Sequence, residues 1–329
     1  MDQRAVMGHR AGEHAEILFR GLGDTAGETG HGHSCVQSTV LVGPATAAIL
    51  GGTGRKEGAG MAERREMDRE MSLDDVIGLE ALFARRAEAA ETALRSFAPR
   101  RGVAYGPGRG ETLNIFPAGE GAPVMVFIHG GFWKSLDADL FSFLAPGFVP
   151  FGAALVVIDY PLMPAVRLGD IVSACLRAAK WVRANAESFG GDPERIFLSG
   201  NSAGGHLVAE LMSHPEGALV LGGTSISGLF DLEPVTRSFQ NDDLQLTPEE
   251  VAAYSPLRRE PAIKAPLIVA VGGDETDEFL RQSRAFAAQC GTEAMEVAGT
   301  NHITVLLDGL ARPVSALNIA VRRQMGLLP

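Results

Sequence analysis

The chain has 329 residues, 46% of them hydrophobic, which is enough to bury one large core or two ordinary ones. Its 29 Lys and Arg against 40 Asp and Glu leave a formal charge of -11, which argues against nucleic acid or an anionic membrane as the main partner, since both require a basic face. Cys35, Cys175 and Cys290 are odd in number, far apart and without C-x-x-C spacing. They support neither a disulfide framework nor a zinc site, and a reducing cytoplasm is the expected compartment.

Residues 1–70 are rich in Gly, Ala, Glu and Arg without sustained helical or strand period, and are expected to be a disordered or non-essential leader. The cluster His31, His33 and Cys35 matches no metal-ligand spacing. The apolar run Val40–Leu50 has the length of a signal-peptide core but sits behind a long mixed-charge segment, and no run reaches the ~18 apolar residues of a membrane helix. Starts at Met61, Met67 or Met71 are all expected to suffice for the folded domain, 71–329, which would open with a helix at Ser72, with Asp74 and Asp75 in its first turn.

From Thr112 onward apolar strand-like runs alternate with helical periods. Strands are expected at 113–116, 124–129, 154–160, 195–199, 219–227, 267–272 and 294–298, and helices near 168–189, 203–213, 277–290 and 313–325. Such alternation predicts an α/β fold with a mostly parallel central sheet covered by helices on both faces. The stretch at about 228–262 breaks the rhythm, carries Phe230, Phe239 and Tyr254, and is expected to be a small cap insertion over a pocket.

Two motifs carry chemistry. The strand-like run Val124–Ile128 ends in His129-Gly130-Gly131-Phe132-Trp133, where glycines let the backbone itself approach a substrate carbonyl and offer N–H groups to an oxyanion. His129 is expected to hold this glycine loop by hydrogen bonds. Downstream, Ile196-Phe197-Leu198 runs into Gly200-Asn201-Ser202-Ala203-Gly204, the G-x-S-x-G pattern of a nucleophile elbow. Ser202 is the candidate nucleophile, and His206, on the following helix, is expected to be structural.

A serine nucleophile needs a base and a group that orients the base, in the chain order serine, acid, histidine. His302 is the one histidine beyond residue 214 and follows the last predicted strand. The acid belongs after Leu267–Val271, where counting from Gly272 selects Glu275, with Asp274 as the alternative because a one-residue shift in a Gly-rich loop is easy. Asp277 and Glu278 are expected to start the next helix.

The chain from about Tyr105 to Leu328 resembles α/β-hydrolases of the kynurenine formamidase (arylformamidase) and hormone-sensitive-lipase-like group. The resemblance rests on His129–Trp133, Gly200–Leu207, Gly228–Pro234, Gly272–Phe279 and Asn301-His302. It implies the α/β-hydrolase fold, Ser202 as nucleophile, Glu275 as acid, His302 as base, and an oxyanion hole of N–H groups from Gly130, Gly131 and Ala203. Phe132, Trp133 and Asn201 are assigned to the substrate pocket, with Trp133 readable either as pocket wall or as loop anchor. Two positions depart from the family: Asn201 stands where formamidases commonly have His, and Glu275 where Asp is commoner.

The expected activity is hydrolysis of a small ester or aryl-formamide through an acyl-enzyme, with no metal or organic cofactor, no nucleic acid, no membrane and a homodimer allowed. A general short-chain carboxylesterase is the runner-up. A non-catalytic binding scaffold is the reading from another class, disfavoured because serine, acid and histidine are all present.

Overall fold

The structure is a computed structural model that describes residues 53–216, 220–260 and 262–328. The His31, His33 and Cys35 cluster and the 40–50 run lie outside the described residues. The chain divides into two units, one ending at Glu66 and one spanning Met67–Pro329.

In the second unit eight strands form one sheet: β1 (Arg100–Ala104), β2 (Thr112–Phe116), β3 (Ala122–Ile128), β4 (Ala154–Ile158), β5 (Gly191–Asn201), β6 (Gly222–Ile226), β7 (Leu267–Gly272) and β8 (Met295–Val297). Their order is β1-β2-β4-β3-β5-β6-β7-β8, with β1 and β2 antiparallel and every pair from β4 to β8 parallel. The central strands read as unbroken apolar runs because both faces are covered, and their period of two sorts the side chains. Val124, Val126 and Ile128 enter one core, whereas Met125 and Phe127 enter the other.

The longer helices are α1 (Thr53–Glu70), α2 (Leu79–Phe97), α3 (Leu168–Asn185), α4 (Ala203–Ser213), α5 (Asp277–Gln289) and α6 (Ala316–Gln324). Residues of α3 and α4 fill the first core; α2, α6 and the helical stretch 138–148 fill the second. This is the α/β-hydrolase architecture expected from the alternation. Between β6 and β7 the expected insertion consists of short helices at Glu233–Thr236, Gln240–Leu244 and Pro248–Ala253. Its Leu232, Val235, Leu244 and Val251 join the first core, which also contains Trp133.

Three local expectations differ from the structure. Strand β1 was not foreseen, because it is an edge strand of mostly exposed residues, bulged near Gly102, and lacks apolar alternation. The helix expected from Ser72 begins at Leu79 instead: the Ser72 hydroxyl accepts the Asp74 N–H in a local turn, and left-handed Gly78 precedes the first helical turn. The 1–70 segment contains helix α1, and its last residues are engaged. Asp68 Oδ1 accepts the Phe239 N–H, the Glu70 carbonyl accepts from Thr276 Oγ1, Glu70 Oε2 accepts the Glu278 N–H, and Met71 is buried. The Asp68 and Glu70 contacts are polar, and hydrophobic periodicity cannot reveal them.

Candidate active site

The parallel register lines up the carboxyl ends of the central strands: Ile128 pairs with Gly200, Gly200 with Ser225, and Ser225 with Val269. At about 4.8 Å per strand this edge brings the loops after β3, β5, β6, β7 and β8 together, as expected for a site in an open α/β sheet.

Ser202 sits between β5 and α4 with φ 58° and ψ -121°, a backbone strain typical of a residue held for function. The turn closes because Gly204 packs against β3: a Cβ there would collide with the carbonyls of Ile128 and His129. The Ser202 N–H donates to Ile226 O at 2.8 Å, and Ser202 O accepts the His206 N–H at 3.0 Å. Because the 202–203 peptide is planar and trans, that carbonyl directs the Ala203 N–H away from the helix, at the positive end of α4.

The glycine loop is fixed by the same logic. His129 Nδ1 lies 2.7 Å from Gly130 O, and Tyr160 Oη donates to His129 O at 2.9 Å. Since a carbonyl can only accept, Nδ1 carries the proton, and burial, which depresses the His129 pKa, keeps the ring neutral. With Gly130 O held on the His129 side, the Gly131 N–H points the opposite way. Gly131 has φ 105°, and a Cβ on Gly130 would lie 2.9 Å from Asn201 O and 3.1 Å from Ser202 Cβ, so this backbone passes directly against the elbow. His129 thus occupies the loop-holding position expected of it, stacked on Tyr160 with ring centroids 4.4 Å apart.

Glu275 and His302 form the hydrogen-bonded pair, with Glu275 Oε2 2.6 Å from His302 Nδ1. The other carboxylate oxygen, Oε1, accepts from Ser227 Oγ at 2.5 Å and from the Gly272 N–H at 2.7 Å. The Glu275 carboxylate has no exposed surface, whereas Asp274 is exposed. The His302 ring packs on Phe279, centroids 4.5 Å apart, and its loop is held by Asn301 Oδ1, which accepts the N–H groups of Ile303 and Thr304. Among the described residues no hydrogen bond joins Ser202 Oγ to His302; nucleophile–base bonds are often loose before substrate arrives.

The three residues assigned to the pocket fall in different places. Phe132 is half-buried with φ 47°. Asn201 is buried, with Nδ2 3.5 Å from Ile226 O behind the elbow. Trp133 has no exposed surface and meets His206 edge-on at 5.1 Å, which favours the loop-anchor reading of its two. His206 is buried and structural in its contacts, with Nε2 2.8 Å from Tyr254 O. Ser227 and Tyr160 were not singled out in the sequence. Neither lies in a motif, and both are recognised through contacts between separate strands. Among the described residues no group of three His, Cys, Asp or Glu side chains could hold a metal ion, and no helix is long and apolar enough to cross a membrane.

Comparison with known proteins places the chain in a family. Residues 125–302 match the family described as alpha/beta hydrolase fold. The chain is 28% identical to the kynurenine formamidase of Salmo salar over 261 residues, covering 73% of this chain and 87% of that protein. It is 27% identical to an esterase of Mycobacterium tuberculosis over 267 residues, covering 69% of this chain and 65% of the other. A solved structure from Silicibacter sp. TM1040, provisionally described as a thioesterase, superposes with TM-score 0.70 at 30% identity, covering 77% of this chain and 98% of that one.

Proposed function

The chain belongs to the alpha/beta hydrolase fold family and is a hydrolase of ester or amide bonds, and from that premise we propose that it cleaves aryl-formamides through an acyl-enzyme on Ser202. In this reading His302 takes the Ser202 Oγ proton as the serine attacks the carbonyl, and later returns it to the leaving amine. Glu275 holds the imidazole in its Nδ1–H form and stabilises the imidazolium. The N–H groups of Gly131 and Ala203 receive the developing oxyanion, and loss of one such donor typically costs about 2.7–4 kcal/mol. Water then attacks the acyl-enzyme by the same route. The observation that carries the assignment is the 2.6 Å Glu275–His302 hydrogen bond on the sheet edge shared with the strained Ser202.

We further propose that residues 71–329 make up the catalytic domain, that the segment between β6 and β7 caps the substrate, and that the enzyme works in the cytoplasm, alone or as a homodimer. Formamide preference is supported by the formamidase relative, which matches most of both chains. The second reading, a general short-chain carboxylesterase, is supported by the esterase relative. A panel of formyl, acetyl and butyryl esters paired with the matching anilides separates them. The formamidase reading expects kcat/KM to be highest for the formyl anilide, and an acetyl or butyryl ester favoured by about tenfold or more would replace it with the carboxylesterase reading.

A further inference from the structure

The end of β6 is joined to the elbow, to strand β7 and to the loop after β7 through two consecutive residues. Ile226 O accepts the Ser202 N–H at 2.8 Å, which anchors the elbow. The next residue, Ser227, donates its N–H to Ala270 O of β7 at 2.8 Å and its hydroxyl to Glu275 Oε1 at 2.5 Å. Ser227 is completely buried and has φ 50°, a left-handed conformation uncommon for serine. A hydroxyl at such a position, spent on a buried carboxylate, has a use beyond filling space.

We propose that Ser227 is a positioning residue for the reaction, acting through Glu275; the proposal rests on the triad reading above. Glu275 must place Oε2 on His302 Nδ1 while its opposite oxygen reaches toward β6. An aspartate, one carbon–carbon bond of about 1.5 Å shorter, could not make both contacts from the same backbone position. Ser227 and the Gly272 N–H together take up Oε1 and leave Oε2 for the imidazole. A donor to an ionised carboxylate is among the stronger hydrogen bonds and a directional one, so it fixes the plane of the carboxylate and with it the His302 ring. This also accounts for the use of glutamate at position 275: the longer acid is matched to a serine on the adjacent strand.

The test replaces Ser227 with glycine and with alanine in the full chain. Glycine removes the hydroxyl and relieves the left-handed backbone, so this variant is expected to fold. Initial rates on p-nitrophenyl acetate should show kcat about tenfold lower in both variants with KM within about twofold, because the lost contact matters as imidazolium charge develops. A double-mutant cycle supplies the readout that a structural role would not move. In a Glu275→Gln background, adding Ser227→Gly should change kcat by less than about twofold. Wild-type kcat in Ser227→Gly, or a full tenfold loss in both backgrounds, would overturn the proposal. Ser202→Ala run alongside keeps the two levels apart: an active Ser202→Ala defeats the triad reading, whereas an inactive one beside an unaffected Ser227→Gly defeats only the role of Ser227.

Discussion

His302 Nδ1 lies 2.6 Å from Glu275 Oε2, while the carboxylate of the preceding residue, Asp274, is exposed. Two adjacent acids in one Gly-rich loop therefore occupy different environments, one buried against the imidazole and one in water. Glu275→Gln is expected to lower kcat by about 10²- to 10⁴-fold with KM nearly unchanged, because the amide favours the wrong imidazole tautomer. Asp274→Asn should stay within about twofold of wild type. Steady-state kinetics of both variants check this, and the reverse ranking would move the role to Asp274.

The segment just before the domain is expected to matter more than its composition implies. A chain beginning at Met71 loses Asp68 and Glu70, and with them the acceptors of the Phe239 and Glu278 N–H groups and of the Thr276 hydroxyl. Thr276 directly follows Glu275, the proposed acid, and Glu278 lies in the first turn of α5. Loss of two charged acceptors should lower stability by about 2 kcal/mol or more and the melting temperature by about 4–8 °C. A chain beginning at Met61 keeps all three contacts and should melt within about 2 °C of the full chain. Thermal melts of both compare directly; equal melting temperatures for the Met71 and Met61 chains would show these contacts to be inconsequential.

Trp133 is wholly buried against His206. Trp133→Leu should therefore lower stability by about 2–4 kcal/mol through the volume removed, and reduce kcat/KM for every substrate alike as the glycine loop loosens. A rise in KM confined to aromatic substrates, with the melting temperature unchanged, would instead make the indole a pocket wall.

Burial depresses the pKa of both His206 and His129 below the usual histidine value. In the unfolded chain both titrate near pH 6.5, so below that pH the unfolded state binds protons that the folded state does not, and stability falls with pH. Glu210 and Asp159, each 3.8 Å from its histidine, moderate the fall. Asp159, itself raised by burial, contributes in the opposite sense at lower pH. The melting temperature should drop between pH 7 and pH 5, and the drop should be shallower in His206→Gln; an unchanged slope in that variant would remove His206 from the account.

Most of the sheet, and the residues that the structure brings together in the candidate site, were legible because they rest on local patterns. Val124–Ile128 and Leu267–Val271 are apolar runs too short for helices, and the glycines around Ser202 and after Ile128 mark backbone that must pass close to its neighbours. The Glu275 and Asp274 alternative is separated by burial, which depends on where Ser227 and the Gly272 N–H lie in three dimensions. Ser227 and Glu70 left no trace in any period or motif, since each acts through hydrogen bonds to residues 48 and 208 positions away. Strand β1 escaped because an edge strand with Arg100 and Arg101 buries too little to show alternation.

The central claim is that Ser202 carries the acyl group, and intact-protein mass spectrometry after treatment with a fluorophosphonate tests it most directly. Wild type should gain one phosphonyl adduct, mapped by peptide digestion to Ser202, with activity lost in proportion to labelling. Ser202→Ala should take up no label and retain a rate at least about 10⁴-fold below wild type. Labelling at another residue, or a Ser202→Ala variant holding more than about a tenth of the wild-type rate, would contradict the account.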